Sequence, residues 1–304
     1  MRLFLKHSCL FLLLLAVLLS LFDFLFSKWV QNSSRPSIES WHDLMYRQID
    51  ADLVIVGSSR AKNHIDPEIL DTVLHTNAYN LGMSGTKFDL QAAQYDLYRS
   101  HNKKPNVILF CIDVFSLIPT KRVVMREQYF PFFWDRRFRD RIFPLIHFTP
   151  SERFIPLYRY YSNDLLGIIK IYPKSLRKGF LAIDQQWNSP EINSVPFEKE
   201  EHFQAMFEQF VDNAVKEGVR LVFILPPMYY EKARRIRALD EMLDYYTEIG
   251  KKDNIPLLNY YFSDISKDST NFQDPNHLNR KGAEAFSKVL ASDLQEWMEL
   301  PQRQ

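Results

Sequence analysis

Two short segments, more than 200 residues apart, carry side chains that together could do nucleophilic chemistry. The first, Asp52-Leu-Val-Ile-Val-Gly-Ser-Ser-Arg60, reads as a buried strand that breaks at Gly57 and presents Ser59 at its carboxyl end. The second, Asp274-Pro-Asn-His277, sets a carboxylate and an imidazole three residues apart, with Pro275 stiffening the turn between them. A serine becomes a nucleophile when a base takes its proton, and the base in turn needs an acceptor that orients it. Each segment alone also has a plainer reading. Ser58 and Ser59 could satisfy backbone groups at a strand end, and Asp274 could cap the following helix while His277 sits at the surface. His64 lies only five residues from Ser59 and is expected on the wrong side of the turn to serve as its base.

A third segment, Asn80-Leu-Gly-Met-Ser-Gly85, follows another apolar run. Backbone N–H groups at such a glycine-rich turn could face a developing oxyanion, or the turn could simply join a strand to a helix. The apolar runs Leu53–Val56, Ala78–Leu81, Val107–Ile112, Leu221–Leu225 and Ile255–Leu258 read as strands. Amphipathic stretches Pro67–Leu74, Lys87–Ser100, Glu198–Glu217, Tyr230–Lys251 and Asn279–Leu300 read as helices between and after them. Strand–helix alternation with continuously apolar strands predicts an α/β fold, a parallel sheet covered on both faces. Ligands of such sheets bind at the carboxyl ends of the strands. Ser59, Gly82 and Gly85, Asp113, and Pro226-Pro227 all fall at such ends, and Asp274 and His277 precede the last helix.

The stretch 116–196 breaks this rhythm. It is dense in Phe, Tyr, Arg and Pro and reads as a partly helical aromatic and basic insertion, over the sheet's carboxyl edge or on a membrane. Residues 1–27 are expected to be a transmembrane anchor, because Cys9–Phe26 is almost wholly apolar and about 18–20 residues can cross the hydrocarbon core. Arg2 and Lys6 before it place the N-terminus in the cytoplasm, with the rest of the chain on the periplasmic or extracellular side. No small-x-small cleavage site follows, so the segment reads as an uncleaved anchor with Trp29 at the interface rather than a removed signal peptide. Asp23 interrupts the run near its outer end. Residues 28–50 read as a polar linker or strap, and 51–304 as the main domain containing the insertion. The 304 residues carry a net charge of +1, so no global field attracts nucleic acid. Cys9 and Cys111 are too differently placed to form a disulfide. No Cys/His cluster has metal-site spacing, and no cofactor is expected.

The order of the three segments is more specific than any one of them. Ser59 after the first strand, Asn-x-Gly-x-x-Gly after the second and Asp-x-x-His before the final helix resemble the SGNH (GDSL-like) hydrolase superfamily. The likeness covers about residues 51–114 and 219–300, with the insertion outside it. It implies a three-layer flavodoxin-like fold, ester cleavage, Ser59 as nucleophile, Asp274 and His277 as acid and base, and an oxyanion held by the N–H groups of Ser59 and Gly85. Two positions depart from the pattern. The family's block-one Asp is Ser58 here, and the third block, normally Gly-x-Asn, reads Phe110-Cys-Ile-Asp113. Arg60 and Asp113 remain as candidate substrate-binding residues, Asp113 alternatively bonding to the turn after Ser59 or capping its strand. An anchored, exported domain with a Gly-Ser-Ser block also resembles the D-alanine transfer protein of teichoic-acid D-alanylation and the acyl-transfer proteins of exported polysaccharides. That likeness implies a bilayer, an acylated envelope glycan and a multispanning membrane acyltransferase as partners. Arg136, Arg137, Arg139 and Arg141 could bind an anionic glycan or phosphate, lipid headgroups, or only water. The expected function is a serine esterase or acyltransferase on envelope acyl esters; the alternative is a weakly catalytic or inactive binding module beside a membrane acyltransferase.

Overall fold

The computed structural model describes residues 1–119, 123–161, 170, 174–187 and 192–299. The chain separates into two compact units, residues 1–46 with 125–174 and residues 47–124 with 175–304. In chain order the helices are α1 (Arg2–Gln31), α2 (Pro36–Tyr46), α3 (Ser59–His64), α4 (Pro67–Leu74), α5 (Phe88–Arg99), α6 (Arg136–Ile146), α7 (Pro150–Phe154), α8 (Glu201–Lys216), α9 (Tyr230–Ala233), α10 (Leu239–Asp253), α11 (Asp264–Lys267) and α12 (Arg280–Glu299). The strands are β1 (Leu53–Val56), β2 (Ala78–Asn80), β3 (Val107–Cys111), β4 (Leu176–Arg177), β5 (Phe180–Leu181), β6 (Val195–Pro196), β7 (Arg220–Leu225), β8 (Ile236–Arg237), β9 (Leu257–Asn259), β10 (Phe272–Asp274) and β11 (His277–Leu278).

In the larger unit β2, β1, β3, β7 and β9 lie side by side in that order, all parallel. Numbered within the sheet this is 2-1-3-4-5, the flavodoxin-like winding whose direction reverses beside β1. The strands are apolar throughout because both faces are covered. Alternation turns Leu53, Ile55, Leu109, Cys111 and Ile224 to one face, where Ala283, Phe286, Leu290 and Leu294 of α12 pack. Phe110 and Phe223 point to the other and meet Phe88 of α5, Phe207 and Phe210 of α8 and Tyr246 of α10. The fold is thus the three-layer α/β sandwich that the strand–helix alternation implies.

One expected helix is broken. Residues 230–251 do not run as a single helix: α9 ends at Ala233, β8 pairs in parallel with β6, and Ala238 turns the chain in the left-handed region (φ 59°) before α10 begins. A further helix, α3, was not expected; it starts at Ser59 itself, immediately after β1.

In the smaller unit α1 has 30 residues, about 45 Å at 1.5 Å per residue. It is long and apolar enough to cross a bilayer. Asp23 is not a bare charge: Arg159 donates to its Oδ1 at 2.6 Å, and both side chains are buried. The segment 28–50 contains α2, whose buried Trp41 donates from Nε1 to Gln128 Oε1 (3.2 Å). Trp41, Tyr129, Phe132 and Phe138 form an aromatic core for this unit. Arg137 is tied to the Met45 carbonyl and to Asp135, whereas Arg136, Arg139 and Arg141 are exposed. Within the stretch 116–196, residues 120–122, 162–169, 171–173 and 188–191 lie outside the described residues, as does the last residue of the helix expected over 279–300.

Because Phe110 joins the aromatic layer on one face of the central strand, Phe110→Ala should lower stability by about 3–5 kcal/mol. Urea unfolding of the full chain measures it, and a loss below about 1 kcal/mol would contradict this packing.

Candidate active site

Ser59 owes its position to the three residues around it. A side chain at Gly57 would bring a Cβ within 2.8 Å of Cys111 Cβ and 2.9 Å of Ala61 Cβ, so only glycine lets β1 turn directly into α3 beside β3. Ser58 is the N-cap of α3; its Oγ accepts from Arg60 N at 3.2 Å. Ser59 is therefore the first helical residue, and its N–H has no partner inside the helix. Its side chain is half-buried, and its Oγ lies 2.8 Å from His277 Nε2.

The histidine and its acid stand on a tight hairpin. β10 and β11 pair antiparallel with Asp274 opposite His277, and Pro275-Asn276 form the two-residue turn. Residues facing each other at the mouth of such a turn hold their side chains together, which is why an i, i+3 spacing suffices. His277 Nδ1 is 2.8 Å from Asp274 Oδ2 and 3.1 Å from Oδ1. Oδ1 also accepts from the backbone N–H groups of Asn276 (2.8 Å) and His277 (3.1 Å). The imidazole proton thus belongs on Nδ1, leaving Nε2 to face the serine as acceptor. Burial raises the Asp274 pKa, but the His277 hydrogen bond and charge and the two N–H bonds outweigh it, and the carboxyl ends below its ordinary value.

The hairpin is held from several sides. Tyr229 N donates to Pro275 O (3.0 Å), Trp187 N to Phe272 O (2.9 Å), and Asn279 Nδ2 to Thr270 O (2.8 Å) and Phe272 O (3.2 Å). His64, fully buried, accepts from Leu278 N at 3.0 Å through Nε2. It lies behind His277, their ring centroids 6.1 Å apart, and does not take the place of the base. Burial, then the charges of Arg60 and His277, hold its pKa well below the ordinary value. Sequence reasoning had no signal for this positioning role.

Gly85 sits on the loop after β2, in a left-handed conformation (φ 76°) where a Cβ would meet Val124 Cβ at 2.9 Å. That loop is laced to the Ser59 turn: Leu81 N donates to Ile55 O (2.8 Å) and Met83 N to Gly57 O (3.1 Å). Asn80 closes the corner, donating from Nδ2 to the carbonyls of Ala61 (2.7 Å) and Ile65 (2.9 Å) while its Oδ1 accepts from Gly82 N (2.8 Å).

Arg60 and Asp113, candidates for substrate binding, are instead turned inward, and Asp113 takes its alternative place, bonded to the turn around Ser59. They are 2% and 1% exposed and are spent on each other. Arg60 Nη1 donates to Asp113 Oδ1 (2.9 Å) and to Tyr261 OH (3.0 Å), and Nη2 donates to Pro226 O. Asp113 Oδ2 accepts from Ser58 Oγ at 2.5 Å. The two positions that depart from the SGNH pattern, Ser58 and Asp113, therefore bond to one another. Tyr261, just after β9, is the member of this network that sequence reasoning missed; its place at a strand's carboxyl end was the available clue. Among the described residues no group of three or more His, Cys, Asp or Glu side chains could hold a metal ion.

No protein-family model matches this sequence, and no curated protein is detectably similar to it. Solved structures to which the chain is similar include a candidate lipolytic protein of the G-D-S-L family from Desulfitobacterium hafniense, at 10% identity, 79% of this chain, 97% of that chain and a TM-score of 0.42. Another is a GDSL-like lipase from Bacteroides thetaiotaomicron, at 11% identity, 88% of this chain, 99% of that chain and a TM-score of 0.38. At TM-scores below 0.5 such likenesses decide nothing about function.

Two outcomes follow from this geometry. Asp113→Ala leaves the Arg60 guanidinium buried without its carboxylate and should cost about 3–5 kcal/mol; a variant that melts like the wild type but binds substrate poorly would restore the substrate-binding role. The depressed Asp274 pKa means that its ionised form stabilises the fold fully above the unfolded-state value of about 4, and that this contribution is lost as pH falls through the lower folded-state value. The melting-temperature advantage of the wild type over Asp274→Asn should therefore be present at neutral pH and shrink in acid; an advantage that grows in acid contradicts the assignment.

Proposed function

We propose that this chain is an exported, membrane-anchored serine esterase or acyltransferase of SGNH type, acting on acyl esters of a cell-envelope polysaccharide or related polymer. The observation that carries the reading is the unbroken relay from Ser59 Oγ to His277 Nε2 (2.8 Å) and from His277 Nδ1 to Asp274 Oδ2 (2.8 Å). In this reading Ser59 Oγ attacks the ester carbonyl as Nε2 takes its proton, and Asp274 steadies the imidazolium. The N–H groups of Ser59 and Gly85 face the tetrahedral oxyanion. Collapse breaks the ester C–O bond, and the departing alkoxide receives the proton from His277. Water or a sugar hydroxyl then gives a proton to His277 as it attacks the acyl-Ser59 ester. Collapse breaks the bond from the acyl carbon to Ser59 Oγ, His277 returns the proton to Oγ, and a free acid or a new ester leaves. Export is supported by α1 with Arg2 and Lys6 on its N-terminal side. The envelope polymer as substrate rests on the anchored, exported architecture, and a multispanning membrane acyltransferase is the natural source of activated acyl groups if transfer is the reaction.

One observation favours a second reading. Asp113 occupies the place of the family's Asn donor and turns inward to Ser58 and Arg60, so the oxyanion is left with backbone donors, and loss of one donor costs about 10²–10³ in rate. A catalytically weak module that supports a membrane acyltransferase fits that deficit. Turnover of a chromogenic acetate ester separates the readings. The enzyme should turn it over, and Ser59→Ala or His277→Ala should reduce kcat/KM by roughly 10⁴-fold or more with the circular dichroism spectrum unchanged. Activity undiminished in either variant refutes the catalytic assignment, and a folded wild type without any turnover supports the module.

A further inference from the structure

We propose that a face of the smaller unit, formed by Phe154, Ile155, Tyr158 and Tyr161, docks into the headgroup layer of the same bilayer that α1 crosses; this rests on reading α1 as a membrane span. The level of that face along α1 is fixed by hydrogen bonds. Arg159 Nη2 donates to Asp23 Oδ1 (2.6 Å) and to Ser27 Oγ (3.0 Å), and Tyr160 OH donates to Ser27 Oγ (2.9 Å). The Tyr160 ring meets Phe26 edge-on with centroids 4.9 Å apart. Asp23 and Ser27 lie one helical turn apart, about 6 Å along the axis, so residues 159 and 160 are clamped at the outer end of the apolar run. A buried aspartate–arginine pair is far cheaper at that level than at the bilayer centre.

The side chains flanking the clamp face outward. Phe154 is 82% exposed and Tyr161 85%, with Ile155 and Tyr158 also exposed, and the Tyr158 and Tyr161 rings stand 6.3 Å apart. A patch of large apolar side chains this open to water marks a contact surface. The occupant is lipid because the patch continues a lipid-facing surface: on α1, Leu21, Phe22, Leu25 and Trp29 are exposed, while Asp23 and Ser27 turn inward. Tyrosine and tryptophan, with apolar bodies and polar tips, suit the headgroup level, and exposed Arg153 beside Phe154 is placed to meet lipid phosphate. The patch is also preformed. Thr149 caps α7 in a reciprocal box with Glu152, Glu152 pairs with Arg126 at 3.0 Å, and Leu157 turns the chain at φ 64°.

The test uses the full chain with Cys9→Ser, reconstituted in phosphatidylethanolamine–phosphatidylglycerol vesicles without other protein. Nitroxide labels are placed at Phe154→Cys or Tyr161→Cys, both too exposed to disturb folding. Leu14→Cys serves as the bilayer reference and Glu248→Cys as the aqueous one. The expected result is an oxygen-to-nickel-chelate collision ratio at 154 and 161 severalfold above that at 248 and below that at 14. Ratios equal to that at 248, with Leu14 still lipid-exposed, overturn the docking and assign the patch to water or to a protein partner. An aqueous ratio at Leu14 overturns the membrane span itself and the docking with it.

Discussion

A guanidinium held out of water ties the carboxyl edge of the sheet together. Arg60 follows β1, its Nη1 reaches Asp113 beyond β3 and Tyr261 beyond β9, and its Nη2 reaches the Pro226 carbonyl beyond β7. Burying such a charge is costly unless its donors are met, and here three bonds from two nitrogens meet most of them. The consequence falls on Ser59. Its neighbours on both sides are pinned, Ser58 to Asp113 and to the N-terminus of α3, Arg60 to three strand ends. The hydroxyl between them is half-exposed and directed to His277. Rigidity in the Ser59 turn is what the proposed preorganised site requires, since a displacement of about 1 Å can cost about 10² in rate.

The other half of the site is rigid for a different reason. Asp274 and His277 come from a two-residue hairpin too small to be stable alone. It is fixed by backbone donors from Tyr229 and Trp187, by the Asn279 amide and by the buried ring of His64. The hydrogen bond between Ser59 and His277 spans 218 residues of chain. The ordering of that long loop is offset by the sheet and the apolar layers on both faces, not by anything in the site. Fold and site are therefore separable: the core brings the two rims together, and the polar clamps set their angle.

Much of this was legible in the sequence, and the reasons are local. Leu53–Val56 and Val107–Ile112 are apolar without interruption because strands buried on both faces must be, and Asp274 and His277 face each other because a hairpin turn places positions i and i+3 together. What escaped was set by distant partners. Arg60 and Asp113 read as candidates for substrate binding until each is seen to neutralise the other. Asp23 looks like a flaw in an apolar helix until Arg159, 136 residues on, reaches it. Within 230–251 the residues at the break, 233–239, include no glycine or proline to announce it; the break follows from the pairing of β8 with β6. Local composition cannot encode a partner's position, so paired burial and tertiary strand pairing are where sequence reasoning fails.

The central claim is that His277 activates Ser59 within the folded chain. Incubation with a fluorophosphonate, followed by intact-mass measurement and peptide mapping, tests it most directly, because the reagent reacts with serines whose proton is being removed. The account predicts a single adduct, on Ser59, whose formation is strongly slowed in His277→Ala. An unmodified wild-type protein, or an adduct formed elsewhere with Ser59 free, would contradict it.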